Sequence, residues 1–446
     1  MDNTINMPVS HRYFFFRIII LSFPPAIIAM VAVADARVGA IAGFLLAVFV
    51  AAISPVYAFP VLLIGAALNN IEFIFGLQFG WILIAGCALG AVIYTLLDRN
   101  NLRIDASVML LILTFTILEV SIGIIGGDGR LDRLAALLAV LVFIGILASS
   151  NPHVAMERYF NNDLMRALIY LVGCVGIILV FVTLSMLSSQ EFRLSRAGEL
   201  GLSIGDTESS PRSLSNILGI VVVTCMSGVI SVPGKALDKL AWGAMGIAAL
   251  VGMFYTGSRM PAIAASFGIA LAVVVQLFFF GRKLRASTII WTVTGITVVV
   301  LLAMLMAAHG PGLLPFIDSG VSNFRLFRIP SIESNTRLDM WGNHFNNVSV
   351  AQLLMGSGIG SMGNPHSLIV GALGAFGIVG IGVLGYFIFT LALQSMKVRS
   401  TVAITTLAYT LLALSSSSDI DKSYFWVMST VVILSIRLSR AQDVIS

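Results

Sequence analysis

The chain is a long alternation of apolar runs and short polar breaks. The runs fall at residues 13–33, 37–52, 55–69, 75–97, 105–124, 132–149, 165–188, 214–232, 239–256, 260–281, 287–308, 366–396, 401–415 and 424–438. About 20 helical residues cross the apolar core of a bilayer, so the runs predict transmembrane helices. Those at 37–52, 55–69, 401–415 and 424–438 are shorter, about 15 residues, and read as short hairpins or tilted pairs. The expectation is an all-α integral membrane protein with about 12–14 transmembrane helices. Residues 1–446 form a single polytopic membrane domain. The strand alternation of a transmembrane β-barrel is missing. Tyr13 to Val33 lacks a small-residue cleavage site and reads as a first span, not a cleavable leader.

Composition sharpens the class. Of 446 residues, 58% are hydrophobic and 11% charged. A soluble domain carries roughly 25% charged residues. The net charge of +5 is spread over short loops, which argues against a nucleic-acid partner. Cys87, Cys174 and Cys225 all fall inside apolar runs and read as packing residues.

Two polar breaks are longer than the rest, 189–213 and 309–365. With the N-terminus placed in the cytoplasm, fifteen of the 26 Lys and Arg face the cytoplasm, and both termini lie there. The two long breaks then become external loops. Ten of the eleven positives left outside are Arg, whose planar fork binds phosphate or carboxylate bidentately. The pattern predicts an Arg-rich external site.

Individual residues give that site candidates. Thr256-Gly257-Ser258-Arg259 ends one run, and Pro261 begins the next. Pro is favoured in a first helical turn, so Arg259 sits at the tip of a helical hairpin, at the depth of lipid phosphates. Thr336 to Trp341 reads as a helix start with a weak capping box to Asp339. Arg337, Trp341 and His344 then share a face. An arginine beside an aromatic ring suits a sugar phosphate. Gly356 to Gly363 is glycine-rich, but with no strand before it and no Lys after it the reading is a flexible re-entry segment. His366 opens the next run and can act as a general base. His309, His344 and His366 share no metal-ligand spacing. The glycines from Gly371 to Gly385 read as close helix packing. Glu119, near the end of its run, is the intramembrane acid most suggestive of function.

A TGSR turn, an R-x-x-x-W element in a long loop, a G-x-G stretch and a histidine opening a Gly-rich span together resemble the O-antigen polymerase/ligase family. These are membrane glycosyltransferases of bacterial surface polysaccharide. The resemblance covers about residues 193–385. It implies a GT-C-like helical fold in the bacterial inner membrane and metal-independent transfer with no cofactor. The donor would be a polyprenyl-diphosphate-linked glycan. Arg259 and Arg337 would hold the diphosphate, and His366 would be the base. Arg193 or Arg196 would match an arginine of the earlier loop. Arg212, Trp341 and Ser258 join them as candidate substrate-binding residues. Membrane lipid and chain-length regulators or other polysaccharide-assembly proteins are the expected partners. Two departures are visible: Ser367 stands where the family usually has Asn, and Pro211-Arg212 where Pro-Asn is usual. They favour polymerisation of repeat units over ligase-type transfer to a lipid core or protein. The rival of another class is a transporter or lipid flippase, which would place charges at mid-membrane and show inverted repeats.

Overall fold

The computed structural model describes residues 11–68, 79–97, 105–124, 131–149, 160, 163–188, 192–195, 199–204, 207–209, 211–256, 259–280, 336–346, 348–359, 361, 367–415 and 423–445. Among them, the helices are α1 (His11–Ala34), α2 (Ala36–Ile53), α3 (Pro55–Ala67), α4 (Phe79–Leu97), α5 (Ala106–Ile124), α6 (Leu131–Ser149), α7 (Leu164–Ser188), α8 (Pro211–Ser231), α9 (Ala236–Tyr255), α10 (Arg259–Val274, followed by a π turn over Val275–Phe279), α11 (Thr336–Asn346), α12 (Val350–Met355), α13 (Leu368–Lys397), α14 (Thr401–Leu414) and α15 (Ser423–Ile445). Eight helices among the described residues are long and apolar enough to cross a membrane, and four more are apolar but shorter. The chain is an all-α, multi-pass membrane protein.

The breaks between helices have local causes. Asp35 stops α1 and caps α2, its carboxylate accepting from the Arg37 and Val38 N–H groups at 2.8 and 3.1 Å. Ser54 is extended, and Pro55 sets the first turn of α3. All thirteen residues of α3 are buried, so it is a core element. Ser400 caps α14, accepting from the Ala403 N–H at 3.4 Å.

One departure from the helical pattern lies in the 189–213 segment. Strands β1 (Phe192–Ser195), β2 (Glu199–Ile204) and β3 (Thr207–Ser209) form a small antiparallel sheet in that order. Its signal was present: Leu200, Leu202 and Ile204 alternate with smaller or polar residues, the period of a strand.

Contacts between distant elements fix which helix ends lie together. Arg437 of α15 lies 3.8 Å from Asp105, which precedes α5. Both line a small cavity with Gln394 of α13. Ser439 of α15 reaches Met165 of α7 at 3.9 Å. Arg166 of α7 bonds Asp238 of α9 at 2.9 Å, and Lys239 Nζ donates to the Val229 carbonyl of α8 at 2.9 Å. The Gln276 amide, past α10, donates to the Thr401 hydroxyl of α14. One end of the bundle, the Arg166 end, therefore gathers the starts of α5, α7, α9 and α14 and the finishes of α8, α10, α13 and α15. The opposite end gathers the starts of α8, α10, α13 and α15 and the finish of α5. We call it the Arg259 end.

Between the ends, α8 and α14 are joined by hydroxyl pairs. Ser227 and Thr405 meet at 2.8 Å, Thr224 and Thr406 at 3.5 Å, and the Tyr409 hydroxyl donates to the Asn216 carbonyl at 2.8 Å. Small polar side chains of this kind hold helices together where apolar burial gives no drive.

Candidate functional site

The Arg259 end holds the starts of α8 and α10, which the sequence marks with Arg212 and Arg259. Pro211 opens α8 and Arg212 is its second residue; Arg259 is the first residue of α10. These two helices pack together and start at the same end. A helix start carries unpaired N–H groups and a partial positive charge. Two packed helices that start at the same end, each with an arginine in the sequence of its first turn, put two helix N-termini on one side of the bundle. That arrangement favours an anion, phosphate above all.

Arg337 is likewise the second residue of α11. Four and seven residues on, Trp341 and His344 are both half-buried. Burial holds the His344 imidazole below its ordinary pKa, and among the described residues its buried Nε2 has no hydrogen-bond partner. The expected helix start at Thr336 is present, with positions 337, 341 and 344 at helical spacing.

After α11, Ser349 opens α12 with a full capping box. Its hydroxyl accepts from the Gln352 N–H at 3.3 Å, and the Gln352 side chain accepts from the Ser349 N–H at 2.9 Å. The chain then leaves the helix at Gly356. Ser357 N–H donates to the Gly374 carbonyl at 2.8 Å, and Gly358 N–H to the Ala375 carbonyl at 3.1 Å. In an unbroken helix those carbonyls would accept from residues 378 and 379. Helix α13 is broken there: Gly377 has φ +62°, a left-handed conformation natural only to glycine. A Cβ on Gly377 would strike the Leu354 carbonyl, and one on Gly356, at φ +89°, the Ala375 carbonyl. The two glycines let the crossover lie directly on the opened turn.

The next donor in the crossover, the Ile359 N–H, goes to Glu119. The carboxylate of this fully buried residue on α5 accepts it at 3.1 and 3.3 Å. Beneath, Phe115 of α5 stacks on Phe376 of α13 with ring centroids 4.2 Å apart. Irregular backbone inside a membrane protein requires such internal partners. The Gly356 to Gly363 stretch is thus, over its described part, docked rather than free.

Of the expected site residues, Arg212, Arg259 and Arg337 each lie in the first turn of a helix, Trp341 lies one turn further along α11, and Arg193 lies in β1. Arg196, Ser258 and His366 lie outside the described residues. Sequence reasoning marked Glu119 but not its partner. The broken turn at Gly377 was missed because α13 holds many glycines. Compared with known proteins, the chain matches no protein-family model and no curated sequence.

Proposed function

We propose that the protein is a metal-independent membrane glycosyltransferase that joins polyprenyl-diphosphate-linked oligosaccharide units into a surface polysaccharide, at the outer face of a bacterial inner membrane. The observation that carries this reading is the pair of packed helices, α8 and α10, that start together with Arg212 and Arg259. The donor's leaving group is a diphosphate. Fixed cations and helix starts at membrane depth stabilise the charge it gains.

In the reaction, a hydroxyl of one unit attacks the anomeric carbon of the other. The anomeric carbon–oxygen bond breaks, and the polyprenyl diphosphate leaves with the bonding electrons. Arg259 and Arg337 hold that diphosphate. His366 takes the hydroxyl proton, and Trp341 packs on the sugar. Arg193, Arg196, Arg212 and Ser258 complete the polar wall. Both chain termini are then cytoplasmic, and the lipid tail of the donor lies against the apolar helices.

Assay of the purified protein with lipid-linked oligosaccharide, with and without chelator, tests the reading. Polymer formed in both conditions supports it, and loss on chelation overturns the metal-free mechanism. In a deletion strain, surface glycan reduced to single-unit caps supports the polymerase. Accumulated long lipid-linked chains point to ligase transfer instead. Movement of substrate with no glycosidic bond formed points to a transporter.

A further inference from the structure

We propose that Glu119 is a positioning residue: by taking the Ile359 N–H, it holds the Gly356–Ile359 crossover on the broken turn of α13 and so fixes the external segment against the membrane helices. Its place in a reaction rests on the function proposed above; the docking itself does not.

Three successive N–H groups leave the crossover. Two go to the opened turn of α13 and the third to Glu119. The first two contacts tie the crossover only to α13, the helix that follows it in the chain. Glu119 lies 240 residues from Ile359 and ties the same crossover to α5. Among the described residues, it joins the crossover to a helix far away in sequence. A carboxylate suits this task, since it only accepts and forms strong hydrogen bonds to backbone N–H groups. Its full burial keeps water from competing. The crossover in turn stands between two expected site elements. Arg337, the second residue of α11, stands some twenty residues before it, and His366 follows Ile359 by seven positions. Anchoring Ile359 holds the crossover that stands between them in the chain.

Removing the acceptor frees the crossover while leaving Arg337 and His366 in the chain. The test uses full-length protein with Cys87, Cys174 and Cys225 changed to alanine and Ser357→Cys as the reporter. Labelling by a membrane-impermeant maleimide reads the docking. Glu119→Ala should speed labelling about tenfold or more, whereas Glu119→Gln, which keeps an acceptor oxygen, should stay within about twofold. Glu119→Asp, too short to reach fully, should fall between and serves where the alanine protein does not fold. With Ser357 restored, polymer formation should follow the same order, with Glu119→Gln rescuing what Glu119→Ala loses. Equal labelling in all variants overturns the docking role. Faster labelling with undiminished polymer overturns the positioning role. A Glu119-intact protein that labels slowly yet forms no glycosidic bond overturns the proposed function and leaves the docking standing.

Discussion

The two ends of the bundle treat charge in opposite ways. At the Arg166 end, charges satisfy one another inside regular helices. Arg166 pairs with Asp163 and, at 2.9 Å, with Asp238. Tyr170 O–H and the Lys235 N–H also donate to Asp238 at 2.9 Å, and the guanidinium lies 5.2 Å from the Phe14 ring centroid. At the Arg259 end, a helix is broken, a backbone crossover fills the break, and a buried acid takes a main-chain donor. The first end works as a clamp of paired charges. The second combines an opened helix with the starts of two arginine-bearing helices at the same end of the bundle. Of the four positive-φ residues among the described ones, Gly356, Gly358 and Gly377 lie at the second end, and Arg399, at φ +50°, lies at the first.

Substitutions at each end break this contrast in different ways. The largest effect falls on the clamp. Asp238→Ala leaves Arg166, whose side chain is 11% exposed, without its main partner. It should destabilise the fold by ~3–5 kcal/mol, seen as a lower detergent melting temperature, with polymer formed per folded molecule unchanged. Next come Arg259→Ala and Arg337→Ala. Each should cut polymer formation by roughly 10²–10³, about 2.7–4 kcal/mol of transition-state stabilisation, with melting unchanged. Wild-type activity in both would end the enzymatic reading. Gly377→Ala forces a side chain into a left-handed turn and should cost about 1–3 kcal/mol, read as a melting shift. Ser227→Ala removes one mid-bundle hydroxyl pair and should cost only ~0.6 kcal/mol; a much larger loss would mean that the α8–α14 seam does more than hold helices together.

The smallest effect is a pH dependence at α11. Burial keeps folded His344 from taking a proton, while the unfolded segment takes one near the ordinary value of 6.5. Below that value the unfolded state binds more protons, so local stability falls as pH falls; above it, stability is flat. Hydrogen exchange of α11 between pH 5 and 8 measures this, and His344→Gln should abolish the slope.

The fold was largely legible. Apolar runs located the long helices among the described residues, because lipid imposes a minimum length on a span, although the 424–438 run, read as short, became the 23-residue α15. Even the doubtful 37–52 and 55–69 runs became two helices split at Ser54 and Pro55. Helices do begin at Arg259 and Thr336, where the sequence placed helix starts. The site was less legible. Glu119 could be flagged as a costly acid, but its partner is a backbone N–H far along the chain, which no composition encodes. Gly377 looks like the glycines around it until its neighbour across the break is known. The Arg166 to Asp238 pair was hidden for a similar reason: each alone is an ordinary charge near the end of an apolar run.

The buried α3 has a consequence for biogenesis. At thirteen residues it is about 20 Å long, short of the roughly 30 Å that lipid demands, and none of its surface is left for lipid to touch. It contacts α4, α8 and α15, the last of which is synthesised more than 350 residues later. A nascent chain therefore carries an incompletely sheltered segment until α15 arrives. Chains truncated before Ser423 should be cleared by membrane proteases, because α15, made long after α3, completes the shelter around it.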